Sequence, residues 1–414
     1  MTRKPVIIAG AGPGGLTLAS ALRHRGLPAV VVEAVSELRP LGVGINLLPH
    51  SVRVLHELGL RAALEPIAVQ TSELRYVNKL GQLIWAEPRG VAAGYDVPQY
   101  SLHRGRLQLA LLEIARERLG AASVRTGCAL EQWRDDADGV TVQARDASGT
   151  LHEIDGECLV AADGIHSVAR ALLYPDEGPP RYSGRILWRA VTEAPPFLDG
   201  RTMIMAGHQQ QKFVCYPISG AGAEHGRASI NWVAELNVPD WTPPRQDWNR
   251  RVPAERFRDA FAEWRFGWLD VPALIDGAEA IYEYPMVDRD PLPRWTHGRM
   301  TLLGDAAHPM YPIGSNGASQ AILDADCLAA RLAGSSSVVD ALREYEAERR
   351  PATSRIVLMN RANGPEQVMQ LAEERAPGGF KDIHDVIPQP ELEAIAARYK
   401  QTAGFSVEQV NQRA

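Results

Sequence analysis

Residues 10–15, Gly-Ala-Gly-Pro-Gly-Gly, have G-x-G-x-x-G spacing; they follow the apolar run PVIIAG and open the helically periodic stretch GGLTLASALRHRG, which stops at Gly26. A strand, turn and helix of this kind can hold a pyrophosphate. The first glycine, Gly10, permits the tight turn, Gly12 removes the side chain that would block a phosphate, and Gly15 lets helix and strand pack closely. Glu33 ends the next apolar run, AVVVEA, where a carboxylate can accept hydrogen bonds from both hydroxyls of an adenosine ribose. An acid there suits an unphosphorylated ribose, so FAD or NAD is expected over NADP.

Two later stretches have the same logic. LVAADGIHSVAR places Asp163-Gly164 after a strand-like run. LLGDAAHPMYPIGSNGASQAILDADCLAARL places Asp305 after another, followed by Pro309 and Pro312, the loop Gly314-Ser315-Asn316-Gly317 and an amphipathic helix from near Ala318. Prolines stiffen such a loop, glycines let a backbone approach a ligand, and the N–H groups of the helix start present fixed dipoles to negative charge. An NAD dehydrogenase would keep its second mononucleotide half close behind the first, whereas here a loop, a hairpin and a meander intervene, which favours FAD. There is no G-x-S-x-G, no HExxH and no convincing triad, so the chemistry is assigned to the cofactor, with no catalytic side chain and no metal. His166 and His308 read as packing or capping residues.

The elements that position these residues follow from length and periodicity. The 414 residues exceed the roughly 250–300 at which single cores stop growing, so several packed units are expected. A net charge of −6 leaves no basic footprint for nucleic acid. The four cysteines, Cys128, Cys158, Cys215 and Cys327, stand alone and read as reduced small hydrophobes. Glycines interrupt the N-terminal apolar run as no signal peptide would allow, and no stretch approaches the roughly 18 apolar residues of a membrane span. A cytoplasmic protein without a membrane partner is expected; the sequence does not specify an oligomeric state.

The fold class is α/β: a Rossmann-like FAD-binding domain (residues 1–177 and 291–360) interrupted by a mainly antiparallel β-sheet substrate domain (178–290), with a helical C-terminal tail (361–414). The loop LRPLGVGIN spans 38–46, and a hairpin within 72–100 contributes to the substrate side. PAERFRDAFAEW (253–264) reads as helical, and VVDALREYEAERRP as a helix ending before Pro351.

The trio G-x-G-x-x-G, D-G and G-D, in this order and at these distances, resembles the single-component FAD-dependent aromatic monooxygenases of the para-hydroxybenzoate hydroxylase type. ELRPLGVGIN, EPRGV, YPMVDRDPLP and GDAAHPMYPIGSNGASQAILD resemble in particular the phenazine-carboxylate monooxygenases of pyocyanin biosynthesis. The likeness runs from residue 5 to about 360. It implies that Asp305 meets the ribityl chain of FAD, that Pro312 and residues 314–317 lie beneath the flavin ring, that Arg104 and Gln108 reach the phosphates or ribityl chain, and that Arg39 reaches the adenosine end. Gly14, Pro13 and Asp163 complete the expected cofactor set. The resemblance further implies NADH or NADPH as a transient electron donor, addition of O2 at flavin C4a and delivery of one oxygen atom to an aromatic or fused heteroaromatic ring, with or without loss of carbon dioxide.

Such a reaction calls for an apolar, aromatic cavity. Its expected walls are Ile45, Trp188, Met203, Met205, Tyr216, Trp232, Tyr311 and Pro312, with Met203 and Met205 on one face of their strand by alternation. Two other functions stay open at this point. A flavin-dependent halogenase is one, although W-x-W-x-I-P is absent and WRFGWLDVP spaces its tryptophans differently; a low-turnover flavin-binding regulatory protein is the other.

Overall fold

A computed structural model describes residues 3–40, 42–136, 138–220, 226–241 and 250–412; Leu41, in the loop expected over 38–46, falls outside them. The N-terminal strand Val6–Ala9 sits centrally in a five-stranded parallel sheet, in the order Met300–Leu302, Cys158–Ala161, Val6–Ala9, Ala29–Glu33, Val124–Thr126. Helices cover it, among them Pro13–His24 and Gly317–Gly334, which pack against each other. Burial on both faces explains why these strands are apolar runs rather than alternating ones. The three motifs follow the carboxyl ends of three adjacent strands: Gly10 after Ala9, Asp163 after Ala161, and Gly304-Asp305 after Leu302. Open α/β sheets bind ligands at such strand ends.

A three-stranded antiparallel meander, Cys128–Asp136, Gly139–Asp146 and Leu151–Gly156, packs beside this sheet. The second large sheet has seven strands in the order Tyr282–Asp288, Arg181–Ala194, Ala228–Asn237, Gln211–Pro217, Thr202–His208, Glu73–Val77, Leu83–Pro88. The hairpin of residues 73–88 thus joins this sheet, its first strand running parallel to Thr202–His208. Gly44–Leu47, expected as part of a loop, is a strand paired with Gln99–His103.

Strand alternation divides the seven-stranded sheet into two faces. Trp188, Ala190, Ala234 and Trp232, which pair across neighbouring strands, enter an aromatic core with Phe213, Phe257, Phe261 and Trp264. Leu187, Arg189, Val233 and Glu235, each one residue out of phase, point the other way, toward a cavity.

Two helix expectations are corrected. Residues 253–264 form two short 3-10 turns, Ala254–Arg256 and Arg258–Phe261, rather than one α-helix. Phe257 between them has φ −142° and stacks on Trp188 with ring centroids 4.6 Å apart, so aromatic packing overrides helical periodicity. The helix expected to end before Pro351 runs through it, Val338–Arg361. Its buried stripe, Leu342, Tyr345, Arg349, Thr353, Ile356, Val357 and Asn360, continues across the proline, and burial of that face outweighs the one backbone bond proline removes.

The tail packs Val368, Met369, Leu392 and Ile395 against Leu74, Ile84, Met203 and Met205 of the seven-stranded sheet. None of the described helices is long and apolar enough to cross a membrane.

Candidate functional site

A cavity of about 340 Å³ lies between the strand ends of the parallel sheet and the free face of the seven-stranded sheet. Gly12, Pro13, Gly14, Arg104, Asp305, Pro312, Ser315, Asn316 and Gly317 line one side; Ile45, Met203, Met205 and Tyr216 line the other.

The glycines of the first turn have different duties. A Cβ on Gly10, whose φ is +109°, would lie 2.3 Å from the Ala162 carbonyl oxygen, and one on Gly15 would lie 2.1 Å from that of Gly10. These two are bare because the protein itself leaves no room. A Cβ on Gly12 would meet nothing within 4 Å, so no neighbour in the described chain requires glycine there. The helix it opens, Pro13–His24, has no side-chain cap, and neither has Gly317–Gly334. Both uncapped N-termini border the cavity, leaving backbone donors to an anionic or dipolar ligand.

Glu33 accepts from the Ala11 N–H at 2.7 Å and the Val35 N–H at 2.8 Å, while Gln108 donates through Nε2 to the Ala11 carbonyl at 2.8 Å. Both therefore hold the glycine turn in shape. Asp163 accepts from the Val168 N–H at 2.8 Å, and its other oxygen, buried, has no hydrogen-bond partner. Burial raises its pKa against hydrogen bonds that lower it; its neighbours Ala162 and Gly164, rather than Asp163 itself, line the cavity. The recess raises the pKa of Asp305 by desolvation, although His308 and Arg104 pull it down. The Arg39 guanidinium pairs with Glu37 at 2.7 Å on the surface, two residues away, outside the residues that line the cavity.

Behind Asp305 a buried network supports the loop. Asp324 accepts from His308 at 2.5 Å and from Arg349 at 2.7 Å, and Arg349 also donates to Gln320 at 2.6 Å. Burial opposes ionisation of Asp324, yet His308 and Arg349 more than offset it and hold its pKa below the usual carboxylate value. His308 is thus committed to a hydrogen bond with Asp324 behind the loop rather than to the cavity. Gly314 also faces away from the main cavity, toward Tyr399 of the tail.

On the substrate side three expected wall residues are corrected. Trp188 and Trp232 lie on the reverse face of the sheet, where Trp188 stacks on Phe257 and its indole donates to Glu283 at 2.9 Å. Tyr311 packs with Leu187, Met286 and Ile313 and does not line the cavity. Trp188→Ala should therefore cost about 3–5 kcal/mol of stability in chemical denaturation while leaving KM for the aromatic substrate unchanged. A raised KM in the folded variant would return Trp188 to the wall.

The cavity face instead presents Arg189, Lys212, Glu235 and, from the tail, Glu366. Sequence reasoning missed all four, although alternation next to a buried Trp188 was a signal for Arg189. Lys212 sits between Glu235 at 2.8 Å and Glu366 at 2.6 Å, and Arg185 also contacts Glu235 at 3.1 Å. Burial works against the Lys212 charge, but the two carboxylates hold its proton on and its pKa is raised. Arg189 differs. It donates to the Gly44 carbonyl at 3.1 Å and has the Tyr216 hydroxyl in reach, its Nε has no partner, and no carboxylate among the described residues pairs with it. Burial lowers its pKa from the usual arginine value, but arginine stays charged.

With this geometry established, the FAD binding domain family model matches residues 3–360. The chain is 49% identical over 365 residues to the phenazine 1,6-dicarboxylic acid hydroxylase of Lysobacter antibioticus, covering 87% of this chain and 90% of that one. It is 35% identical over 374 residues to a 3-amino-4-hydroxybenzoate 2-monooxygenase of Streptomyces platensis, covering 88% and 89%. Identity to the 3-hydroxybenzoate 6-hydroxylase 1 of Aquipseudomonas alcaligenes is 31% over 365 residues, 86% and 87% of the two chains. Among solved structures, HpxO of Klebsiella pneumoniae complexed with FAD and uric acid superposes with a TM-score of 0.72 at 24% identity, covering 99% and 95%. The 2,6-dihydroxypyridine-3-hydroxylase of Arthrobacter nicotinovorans gives 0.71 at 23%, covering 92% and 94%. The last two likenesses concern the fold.

Proposed function

The chain belongs to the FAD-binding domain family and is an FAD-dependent aromatic monooxygenase using NAD(P)H and O2; on that premise we propose that its substrate is a planar fused-ring aromatic carboxylic acid, held by Arg189. The halogenase and regulatory alternatives are set aside by the hydroxylases and monooxygenases it is similar to.

The residues fit FAD. The open approach to Gly12 and the two uncapped helix starts are provisions for a ligand with phosphates and hydroxyls. In this reading Gly12, Pro13, Gly14 and Arg104 receive the pyrophosphate and ribityl end, and Ser315, Asn316 and Gly317 lie against the ring with their backbone dipoles. Bound there, FAD supplies the passage of electrons from NAD(P)H to O2. The chain's part is to place the substrate ring and keep water away. Leu187, Met203, Met205, Val214, Val233 and Met286 form the apolar surround, which suits a flat ring and limits wasteful release of hydrogen peroxide.

One observation carries the substrate class: Arg189 is a cavity-lining cation with no carboxylate partner of its own. A recessed guanidinium without a counter-ion is costly unless a ligand supplies the anion. By their names, the Lysobacter, Streptomyces and Aquipseudomonas relatives all act on aromatic carboxylic acids, and the most similar of these acts on a phenazine. The test is NAD(P)H oxidation with phenazine-1-carboxylate, phenazine-1,6-dicarboxylate and unsubstituted phenazine. Both acids should raise the rate at least about tenfold more than the neutral ring, corresponding to about 1.4 kcal/mol or more from a charged hydrogen bond. Equal stimulation by neutral phenazine would remove the carboxylate from the proposal. Product masses then assign the outcome as gain of one oxygen, or gain of oxygen with loss of carbon dioxide.

A further inference from the structure

The family match ends at residue 360, yet the tail reaches the back of the loop that this reading places against the flavin. We propose that Tyr399, in the tail helix Gln389–Thr402, is a positioning residue that holds the 312–317 loop in its ring-facing shape; this rests on the placement of FAD proposed above.

The Tyr399 hydroxyl lies 3.2 Å from the Ile313 carbonyl and 3.2 Å from Asn360 Oδ1, and accepts from Asn316 Nδ2 at 3.3 Å. Its single proton serves one of the first two acceptors at a time. Asn360 donates in turn to the Tyr311 carbonyl at 3.1 Å, so the hydroxyl touches the loop at two places and its partner holds the residue just before it. Asn316 is the residue on which the uncapped helix Gly317–Gly334 begins. Burial pushes the Tyr399 pKa up, which keeps the hydroxyl protonated and able to donate.

The loop is shaped around this residue. A Cβ on Gly314 would lie 2.1 Å from the Tyr399 hydroxyl oxygen. Gly314 and Ser315 have φ of +69° and +55°, and a left-handed serine is a conformation that its surroundings must impose. Beside Gly314 and Ser315, the space behind the loop is a small chamber of about 20 Å³, bordered by Tyr76, Arg89 and Gln99, each with a side-chain atom lacking a hydrogen-bond partner. With packing incomplete there, the Tyr399 hydroxyl adds polar contacts to Ile313 and Asn316 from behind the loop. A second hold comes from Gln320, which donates to Asn316 Oδ1 and to the Ala403 carbonyl, both at 3.1 Å.

The test uses full-length holoenzyme with Tyr399→Phe, which removes one oxygen and keeps the ring. FAD release on dilution, read from flavin fluorescence, should show Kd raised roughly five- to tenfold, the scale of one hydrogen bond with its polar partners left unpaired. The fraction of NAD(P)H electrons lost as hydrogen peroxide in the presence of substrate should rise at least about twofold. Leu392→Ala provides the comparison: Leu392 is buried on the same helix, so its loss loosens docking while the hydroxyl stays, and it should lower Tm with FAD Kd and peroxide fraction within about twofold of wild type. Wild-type Kd and peroxide fraction in Tyr399→Phe would overturn the proposal. Equal losses in both variants would overturn it too, since helix docking rather than the hydroxyl would then hold the loop. If the wild-type protein itself retained no FAD, the fault would lie in the placement of the cofactor instead.

Discussion

Gly12→Val is expected to yield a folded protein that has lost its yellow colour. The backbone at Gly12 has φ −72° and ψ 175°, an extended conformation that valine adopts without strain. Nothing in the protein lies within 4 Å of the added Cβ, so no internal clash accompanies the change. The remaining structural cost is a less favourable N-cap residue on Pro13–His24, at most about 1 kcal/mol. The branched side chain would instead occupy the space in front of two helix N–H groups where the pyrophosphate is proposed to sit, weakening FAD at least about 100-fold, or about 2.7 kcal/mol. Circular dichroism and thermal melting of the apo forms should therefore agree with wild type while flavin absorbance is lost. Gly15→Ala makes an instructive contrast, because its Cβ would meet the Gly10 carbonyl at 2.1 Å, and any FAD loss would follow from a distorted turn. A folded Gly12→Val protein retaining FAD like wild type would contradict the assignment of this turn.

Positions 12 and 15 also mark what the sequence made legible. The dinucleotide half is written locally: an apolar strand, a glycine spacing and a helical period lie within about thirty residues, and each implies its neighbour. The motifs at Asp163 and Asp305 repeat that grammar, so their gathering at three adjacent strand ends could be anticipated. The substrate half is written in alternation, which tells that Trp188 and Arg189 face opposite ways but not which way is the cavity. Choosing the tryptophans as walls placed the aromatic residues on the wrong side, because Phe257, Phe261 and Trp264, arriving more than 60 residues later, claim that face. Tyr399 was harder still: its partner Ile313 is 86 residues away, and no local pattern announces it. The Arg189 signal is an absence, the lack of a counter-ion, and only the assembled cavity can display that.

That absence gives Arg189→Met its expected effect. On the seven-stranded sheet's side of the cavity the other charged groups are answered within the protein, Lys212 by Glu235 and Glu366, whereas Arg104 and Asp305 stand on the opposite side, where the cofactor is proposed to lie. Arg189 has a backbone carbonyl, the Tyr216 hydroxyl and the Tyr284 ring, 6.0 Å from its guanidinium carbon to the ring centroid, and these are dipoles rather than charges. Methionine keeps the length and apolar stem and removes the charge. A charged hydrogen bond contributes about 1.5–3 kcal/mol, so kcat/KM for a phenazine carboxylate should fall roughly 10- to 150-fold, while the slow oxidation stimulated by the neutral ring should not change. Stability supplies the discriminating sign. If the arginine were structural, its removal would destabilise the fold; if it awaits a substrate anion, removing a recessed charge without a counter-ion should leave the melting temperature equal or raise it. Arg189→Lys should recover only part of the activity, since an ammonium retains the charge but not the paired N–H geometry that matches a carboxylate. An unchanged KM for the acid in Arg189→Met, together with a lower melting temperature, would make Arg189 a scaffold residue and leave the carboxylate of the substrate to be held elsewhere.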